Sequence, residues 1–183
     1  MDWYLAFKFL HVAAAVIWIG GAFIMIMFGV KAERSRNDAE LVGAVGQVAW
    51  AAERIYVPSS IATLVFGLVT TWLGVLWADL WVILGLVGVA ATIGLGILVL
   101  TPRAKKAEAG FAAGGATPAV VAVSRELLTI AKFDLVLLFT VVADMVLKPQ
   151  LSDWALLVVM AIVLLAAAAL WLTPAFRKAT AVA

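Results

Sequence analysis

Four long stretches of the chain contain neither a charged residue nor a histidine: residues 12–30, 55–78, 80–102 and 154–176. Each has roughly the 20 residues that a helix needs to cross a hydrocarbon core of about 30 Å. None shows the alternation of apolar and polar residues that is typical of a strand in a membrane barrel. Because every backbone group must be paired inside a bilayer, the pattern predicts transmembrane helices.

A fifth span is predicted over residues 127–148, although this stretch carries charged residues. Thr117-Pro118 has the form of an N-cap followed by proline at the first helical position, so this helix is expected to start at Pro118 and run to Lys148. Its first turns would lie at the cytoplasmic surface. The sequence therefore predicts an all-α, polytopic membrane bundle of five transmembrane helices in one domain, residues 1–183, with helices at approximately 3–30, 55–77, 79–101, 127–148 and 153–173.

The basic residues indicate an orientation for these helices. Five spans place eleven of the thirteen Lys and Arg on one side, after helices one, three and five, and leave only Lys8 and Lys148 on the other. Since basic residues concentrate in cytoplasmic segments, the amino terminus is expected outside and the carboxyl terminus in the cytoplasm of a plasma (inner) membrane. The aromatic residues predicted at the outer interface agree with this orientation: Trp3, Tyr4, Trp72, Trp77, Trp81 and Trp154.

Composition supports the membrane class and argues against several kinds of site and partner. The chain is 66% hydrophobic and 13% charged, whereas soluble domains carry about twice that charged fraction. It has no cysteine, which excludes disulfides, thiolate metal sites and covalently attached c-type haem. The net charge of +2 does not suggest a nucleic-acid partner. The residues after Met1 form no basic leader, so the first span is expected to be retained rather than cleaved as a signal.

The connections between the helices are expected to be unequal. Residues 77–79 predict a tight outer turn in which Asp79 caps helix three. The inner segments 31–53 and 103–126 are longer, and glycines at 110, 114 and 115 predict a flexible loop in the second. Pro58 is expected to kink helix two, with the adjacent serine hydroxyls bonding the carbonyls that proline leaves free.

Helix three carries a stripe of small residues at Gly85, Gly88, Thr92 and Gly96. Such a stripe lets a second helix backbone approach closely. Two interpretations are open, packing within the monomer or the seam of a homodimer. The partners implied are therefore the lipid bilayer and, on the second interpretation, another copy of the chain or a larger membrane complex.

Ionisable groups inside a bilayer are the first place to look for function, because each costs a few kcal/mol there unless it is paired. Five qualify: Lys8, His11, Lys132, Asp134 and Asp144. One face of helix one carries His11, Trp18 and Met25 among small residues, and one face of helix four carries Asp134, Leu137, Val141, Asp144 and Lys148.

Depth along the two helices suggests a pairing. His11 and Asp144 both fall in the outer half of the membrane, and the hypothesis is that they face one cavity in which the carboxylate orients the imidazole. In the alternative, Asp144 pairs with Lys148 one turn later, while Lys132 reaches the inner face and Asp134 pairs with Arg54 or another inner base.

Two segments resemble a known family. Residues 9–21, with His11, Trp18 and Gly20-Gly21, look like the first helix of a set of predicted bacterial membrane proteins. Residues 133–134 and 142–149, with Asp134, Asp144 and Lys148-Pro149, resemble the late helix of one subgroup, domain of unknown function family 2269. The helix-one motif is more distantly similar to copper-resistance D-type proteins, membrane protoporphyrinogen oxidases and the membrane part of a cytochrome-linked urate oxidase.

These distant relatives imply haem or copper handling, with His11 as a ligand and Trp18 beside it in the motif. Since the chain has a single histidine, haem b would be five-coordinate, share ligands across a dimer, or take a methionine such as Met145 or Met25 as its second axial ligand. Copper would need His11 together with Met25 or Met27.

Three functions follow as hypotheses. The first is a haem-linked or metal-linked redox protein centred on His11. The second is a transporter or channel for protons, a metal ion or a small solute, using Asp134, His11 and Asp144. The third is a membrane anchor or assembly subunit without chemistry of its own. No nucleophile–base pair, phosphate loop or zinc signature is present, which argues against a conventional enzyme.

Overall fold

The computed structural model describes residues 2–173, and these form five long helices with no strand among them. We number them α1, Trp3–Arg34; α2, Asp38–Leu73; α3, Leu80–Gly114; α4, Pro118–Leu147; and α5, Trp154–Leu172. Within α2, α3 and α5 one turn is π-helical, at Ala52–Tyr56, Gly96–Leu100 and Ala168–Leu172. The helices α1, α2, α3 and α5 are long and apolar enough to cross a membrane. The all-helical class is therefore confirmed.

The helix with the most charged residues, α4, lies at the centre of the bundle. It packs against each of the other four, whereas α1 packs chiefly against α2, and α5 contacts α4. Ser124, Ile130, Leu138 and Asp144 of α4 are at most 2% exposed. Because α4 is surrounded by protein, it can carry polar side chains that a lipid-facing helix could not.

We call the end of the bundle that contains Arg34 and Asp38 its inner end, and the end that contains Leu73 and Leu80 its outer end. Ion pairs tie the inner half of α4 to three neighbouring helices. Its Lys132 Nζ lies 2.9 Å from Glu33 Oε2 of α1, and its Glu126 Oε1 lies 2.7 Å from Arg103 Nε of α3. A more exposed pair joins Arg125 to Asp38 of α2 at 3.0 Å. These three ion pairs bring charged residues of α1, α2, α3 and α4 together near the inner end of the bundle, and we call these residues the inner layer.

Two inner segments expected to be loops are helical. Only residues 35–37 separate α1 from α2, and the Asn37 side chain caps α2 by accepting hydrogen bonds from the N–H groups of Ala39 and Glu40. The predicted flexible loop at residues 110–115 was wrong as well. There α3 continues to Gly114, because alanine-rich turns favour helix and Ala107 is buried against Val45 and Leu127.

At the outer end, α2 is shorter than predicted, ending at Leu73 rather than near residue 77. Residues 74–79 form the turn, with Val75 in the left-handed region at a φ of 53°. Asp79 occupies the N-cap position of α3, but its side chain makes no capping hydrogen bond. The predicted position of α4 agrees with the structure: Thr117 caps it through Val120 N–H, and it ends at Leu147.

Two of the π-helical turns directly precede an X-Pro pair, Val57-Pro58 in α2 and Thr101-Pro102 in α3. Proline has no N–H to donate, and its ring crowds the carbonyl one turn earlier, so a widened turn relieves both problems. In α2 the Ser59 hydroxyl donates to Ile55 O, a carbonyl of the π-helical turn, at 2.5 Å. The irregularity in α2 is thus a π-helical turn supported by a serine.

Candidate functional site

The outer halves of α3 and α4 form a closely packed antiparallel seam. A Cβ on Gly85 would collide with the methyl group of Met145, and one on Gly88 would collide with Val141. Further inward, Thr92 Oγ1 donates to Asp134 Oδ1 at 2.8 Å. Gly85, Gly88 and Thr92 of the small-residue stripe therefore pack within the monomer against the charged face of α4, whereas a Cβ on Gly96 would meet nothing within 4 Å.

Asp144 lies in this seam without a hydrogen-bond partner. Its residue is 2% exposed, and neither carboxyl oxygen has a partner among the described residues. A Cβ on Gly85 would lie 3.4 Å from its Oδ2, so the carboxyl group rests against the α3 backbone. Burying an unpaired carboxylate costs far more than burying a neutral group. A proton on the carboxyl group would make it neutral and remove most of this cost.

Lys148 does not supply that charge in this arrangement. Its Nζ lies 5.0 Å from the centre of the Trp81 ring, a cation–π contact with α3. No Asp144–Lys148 ion pair is present among the described residues. The predicted intrahelical pair is therefore absent, because the aromatic ring on the neighbouring helix holds the ammonium group.

Asp134 is a second carboxyl on α4, and it also faces α3. The sequence suggested Arg54 as its partner, but the Arg54 guanidinium lies over the Trp50 ring, 5.1 Å from its centre. Asp134 instead accepts the Thr92 hydroxyl hydrogen bond. The correction follows from helix packing, because α4 turns this face toward α3 and away from the part of α2 that carries Arg54.

His11 faces α2. Its Nδ1 lies 2.7 Å from the carbonyl oxygen of Thr63, and a Cβ on Gly67 would lie 2.8 Å from the same nitrogen. Since a carbonyl oxygen only accepts, Nδ1–H is the donor, and a neutral imidazole then carries its lone pair on Nε2. The glycine lets the ring lie directly against the α2 backbone.

The structure does not join His11 and Asp144 through a hydrogen bond. His11 is bonded to Thr63 of α2, and Asp144 rests against Gly85 of α3. Similar depth did not bring these side chains together, because α1 and α4 turn these two faces toward different neighbours.

The other predicted ligands are also dispersed. Trp18 is buried in a cluster with Ile19 and Leu138. Met145 packs on Gly85, whereas Met25 lines a groove of about 890 Å³ at the inner ends of the helices, together with Trp50 and Phe111. Among residues 2–173, no group of three or more His, Asp or Glu could hold a metal ion.

The two remaining intramembrane lysines have simple partners. Lys132 pairs with Glu33 near the inner end of the bundle. Lys8 is exposed, and its Nζ lies 5.7 Å from the centre of the Tyr4 ring. Both contacts account for the lysine without a chemical role.

Four residues that shape these sites were not predicted to do so: Thr63 and Gly67 at His11, and Trp81 and Thr92 on the α3 side of the seam. Spacing gave a signal for the last two, since Trp81, Gly85, Gly88 and Thr92 recur every three or four residues and share a face. For Thr63, which bonds through its backbone carbonyl, the side chain carried no signal.

Comparison with known proteins places the chain in a family. Residues 5–149 match the model of a family of predicted integral membrane proteins, domain of unknown function 2269. The chain belongs to this family. The match includes α4 to its end with His11, Asp134 and Asp144, so the resemblance carried by those motifs is confirmed. No curated protein and no solved structure matches the chain.

Proposed function

We propose that this membrane protein moves protons, as a proton-coupled transporter or a proton relay, with Asp144 as the group that binds and releases them. The observation that carries the proposal is a carboxyl group almost completely buried in the α3–α4 seam, with no hydrogen-bond partner for either oxygen among residues 2–173. Ionisable groups are rare inside membranes and commonly mark proton or ion pathways. A purely structural carboxyl would be expected to have a partner.

A second carboxyl on the same helix supports a pathway. Asp134 precedes Asp144 by ten residues, about 15 Å along a helix. Both face α3, one hydrogen-bonded to Thr92 and the other against Gly85. The two carboxyls thus occupy two depths of one seam, as two stations of a relay would.

The donor set favours a proton over a metal ion. Mg²⁺ and Ca²⁺ require about six or more oxygen ligands. The position that a Cβ on Gly85 would take lies 3.4 Å from Asp144 Oδ2 and close to the methyl group and sulfur of Met145, so the groups identified there are one carboxyl and one thioether. A single carboxyl in such surroundings can bind one proton and needs no further ligand.

Proton flux into proteoliposomes, followed with a trapped pH-sensitive dye, tests the proposal. We expect Asp144→Asn to abolish flux while Asp79→Asn, a half-buried carboxyl in the outer turn, leaves it intact. The contrary result is that the wild-type protein raises flux above that of empty vesicles and that Asp144→Asn, at equal protein content, retains all of it. Asp144 would then have no part in the function.

A second candidate function is cofactor binding at His11, and the Thr63 contact favours it. Histidines that bind metals usually donate their other ring N–H to a carbonyl or carboxylate, as Nδ1 does here. Nε2 would then be the ligating nitrogen for haem b, or for copper. No second axial ligand is identified beside it, because Met145 and Met25 lie against other parts of the bundle.

An absorption spectrum of the purified protein, expressed with ample haem, tests this second candidate. We expect a Soret band in the wild type that is lost in His11→Ala and kept in Met145→Leu. A wild-type spectrum without that band would eliminate haem, and metal analysis of the same sample would answer the question for copper.

A further inference from the structure

Lys148, one turn after Asp144, is held in an unusual way. It is the C-cap of α4, in the left-handed region at a φ of 48°, and its backbone N–H donates to Asp144 O at 2.8 Å. Glycine or asparagine is the common residue in this conformation. Here the position instead carries a long cationic side chain, whose ammonium group lies over Trp81.

The two helices present matching pairs of residues. Lys148 follows Asp144 by four residues on α4, and Gly85 follows Trp81 by four on α3. Trp81 contacts Lys148, and Gly85 contacts Asp144. Lys148 follows Asp144 by one turn, and its side chain is long and flexible. The Trp81 ring is the position that its ammonium group occupies, and the Asp144 carboxylate would be a second position for it.

We propose that Lys148 is a tethered counter-ion for Asp144, which moves from the Trp81 ring to the carboxylate when Asp144 releases its proton to the outer face. The inference rests on the proposed function and assigns a positioning role at the same site. The proton passes from the Asp144 carboxyl to water, Lys148 keeps all its own protons, and no covalent bond to Lys148 forms or breaks. The ion pair then offsets the cost of leaving a carboxylate in the seam.

Other charged groups in the outer half have partners or positions of their own. On α1, His11 is bonded to Thr63, Lys8 lies over Tyr4, and Asp2 caps its own helix. Asp153, at the start of α5, accepts from Gln150 N–H. Asp79 is the N-cap of α3. The charges that α1, α2 and α3 bring to α4 further inward are Glu33, Asp38 and Arg103, which belong to the inner layer, and Arg54 of α2 lies over Trp50.

The pH profile of proton flux tests the counter-ion with two variants of opposite sign. Removing the ammonium in Lys148→Met makes proton release harder, so the profile should move to higher pH by about one unit or more. Trp81→Leu removes the ring over which the Lys148 ammonium group lies, so the ammonium group is free to pair with the Asp144 carboxylate. The pH profile of proton flux should then move to lower pH. A loss of packing alone would not shift the two profiles in opposite directions.

Lys148→Arg should keep the wild-type pH profile, since it keeps the positive charge. Lys8→Met is the matched control, because Lys8 is an exposed lysine over an aromatic ring at the same end of the bundle. If Asp144→Asn abolishes flux but Lys148→Met and Trp81→Leu leave the profile unchanged, the counter-ion role is wrong and the proposed function stands. If Asp144→Asn retains full flux, the proposed function fails and this inference fails with it. Should Lys148→Met not fold, Trp81→Leu and Lys148→Arg still decide the question.

Discussion

At Gly88, the α3 backbone leaves no room for even a methyl group. A Cβ there would collide with Val141 Cγ2, and valine is stiff at χ1, so it cannot easily turn away. We expect Gly88→Ala to destabilise the protein by about 1–3 kcal/mol, the usual cost of overpacking. Thermal unfolding in detergent measures the effect.

The matched control for that substitution is Gly94→Ala on the same helix, where a Cβ would meet nothing within 4 Å. It should be neutral or slightly stabilising, since alanine is the better helix former. Equal loss of stability in both variants would show that alanine destabilises α3 wherever it replaces glycine, and not specifically at the seam with α4.

The hydrogen bond between Thr92 and Asp134 supports a second prediction at this scale. Thr92→Val keeps the shape but removes the donor, and should cost about 1–3 kcal/mol by leaving a carboxyl oxygen unpaired. Thr140→Val is the control, because the Thr140 hydroxyl bonds only the Val136 carbonyl of its own helix. Unfolding temperatures that fall equally for both would argue against a special role for the pair.

Sequence spacing predicted which residues share a face of a helix, but it could not predict which helix packs against that face. The stripe from Asp134 to Lys148 was correctly read as one face of α4, and it does line a polar seam. Its expected partner was His11, whereas the structure provides Gly85 and Trp81. Which helix meets which face depends on how the whole bundle packs, and helical periodicity carries no information about that.

At the scale of the helices, α4 is held by ion pairs on its inner half, and the Lys132–Glu33 pair is the best placed for a test. Its side chains are 22% and 32% exposed, so solvent screens the attraction only in part. We expect Lys132→Glu to destabilise the protein by about 1 kcal/mol through like-charge repulsion. Adding Glu33→Lys should restore most of the loss.

A charge reversal at Lys105, an exposed residue of α3, controls for the change in net charge and should have little effect. Failure of the double variant to recover stability, as measured by thermal unfolding, would mean that Lys132 acts through other contacts.

Helix lengths show where sequence patterning succeeds and where it fails. The apolar runs predicted the membrane-crossing parts of α1, α2, α3 and α5 because hydropathy reports burial in lipid. Hydropathy does not report helical structure outside the lipid. The helical segments Asp38–Ala51 and Thr101–Gly114 therefore fall largely within stretches 31–53 and 103–126, which were expected to be connections between helices. Local signals for the first were present in Asn37 as a cap and in Asp38 and Glu40 in its first turn.

For the whole molecule, the register of α4 bears on how many times the chain crosses the bilayer. Thr92, Gly88, Gly85 and Trp81 of α3 meet Asp134, Val141, Asp144 and Lys148 of α4 in reverse order. Residues 80–100 of α3 form an apolar segment of membrane length, and at the other end Arg103 meets Glu126. We infer that α4 runs through the same thickness as α3, which makes five crossings.

Reporter fusions distinguish five crossings from four. The basic residues indicate that the amino terminus lies outside. With five crossings, alkaline phosphatase inserted between residues 150 and 152 would then be outside and active. Green fluorescent protein fused after residue 183 would lie in the cytoplasm and fluoresce. With four, in which α4 does not cross, both results reverse, and Arg177 and Lys178 would lie outside. The four-crossing arrangement would also take the buried Asp144 out of the bilayer, so that a proton bound there would have no membrane to cross. The fusions thus test the topology and, through it, the physical basis for assigning Asp144 a function.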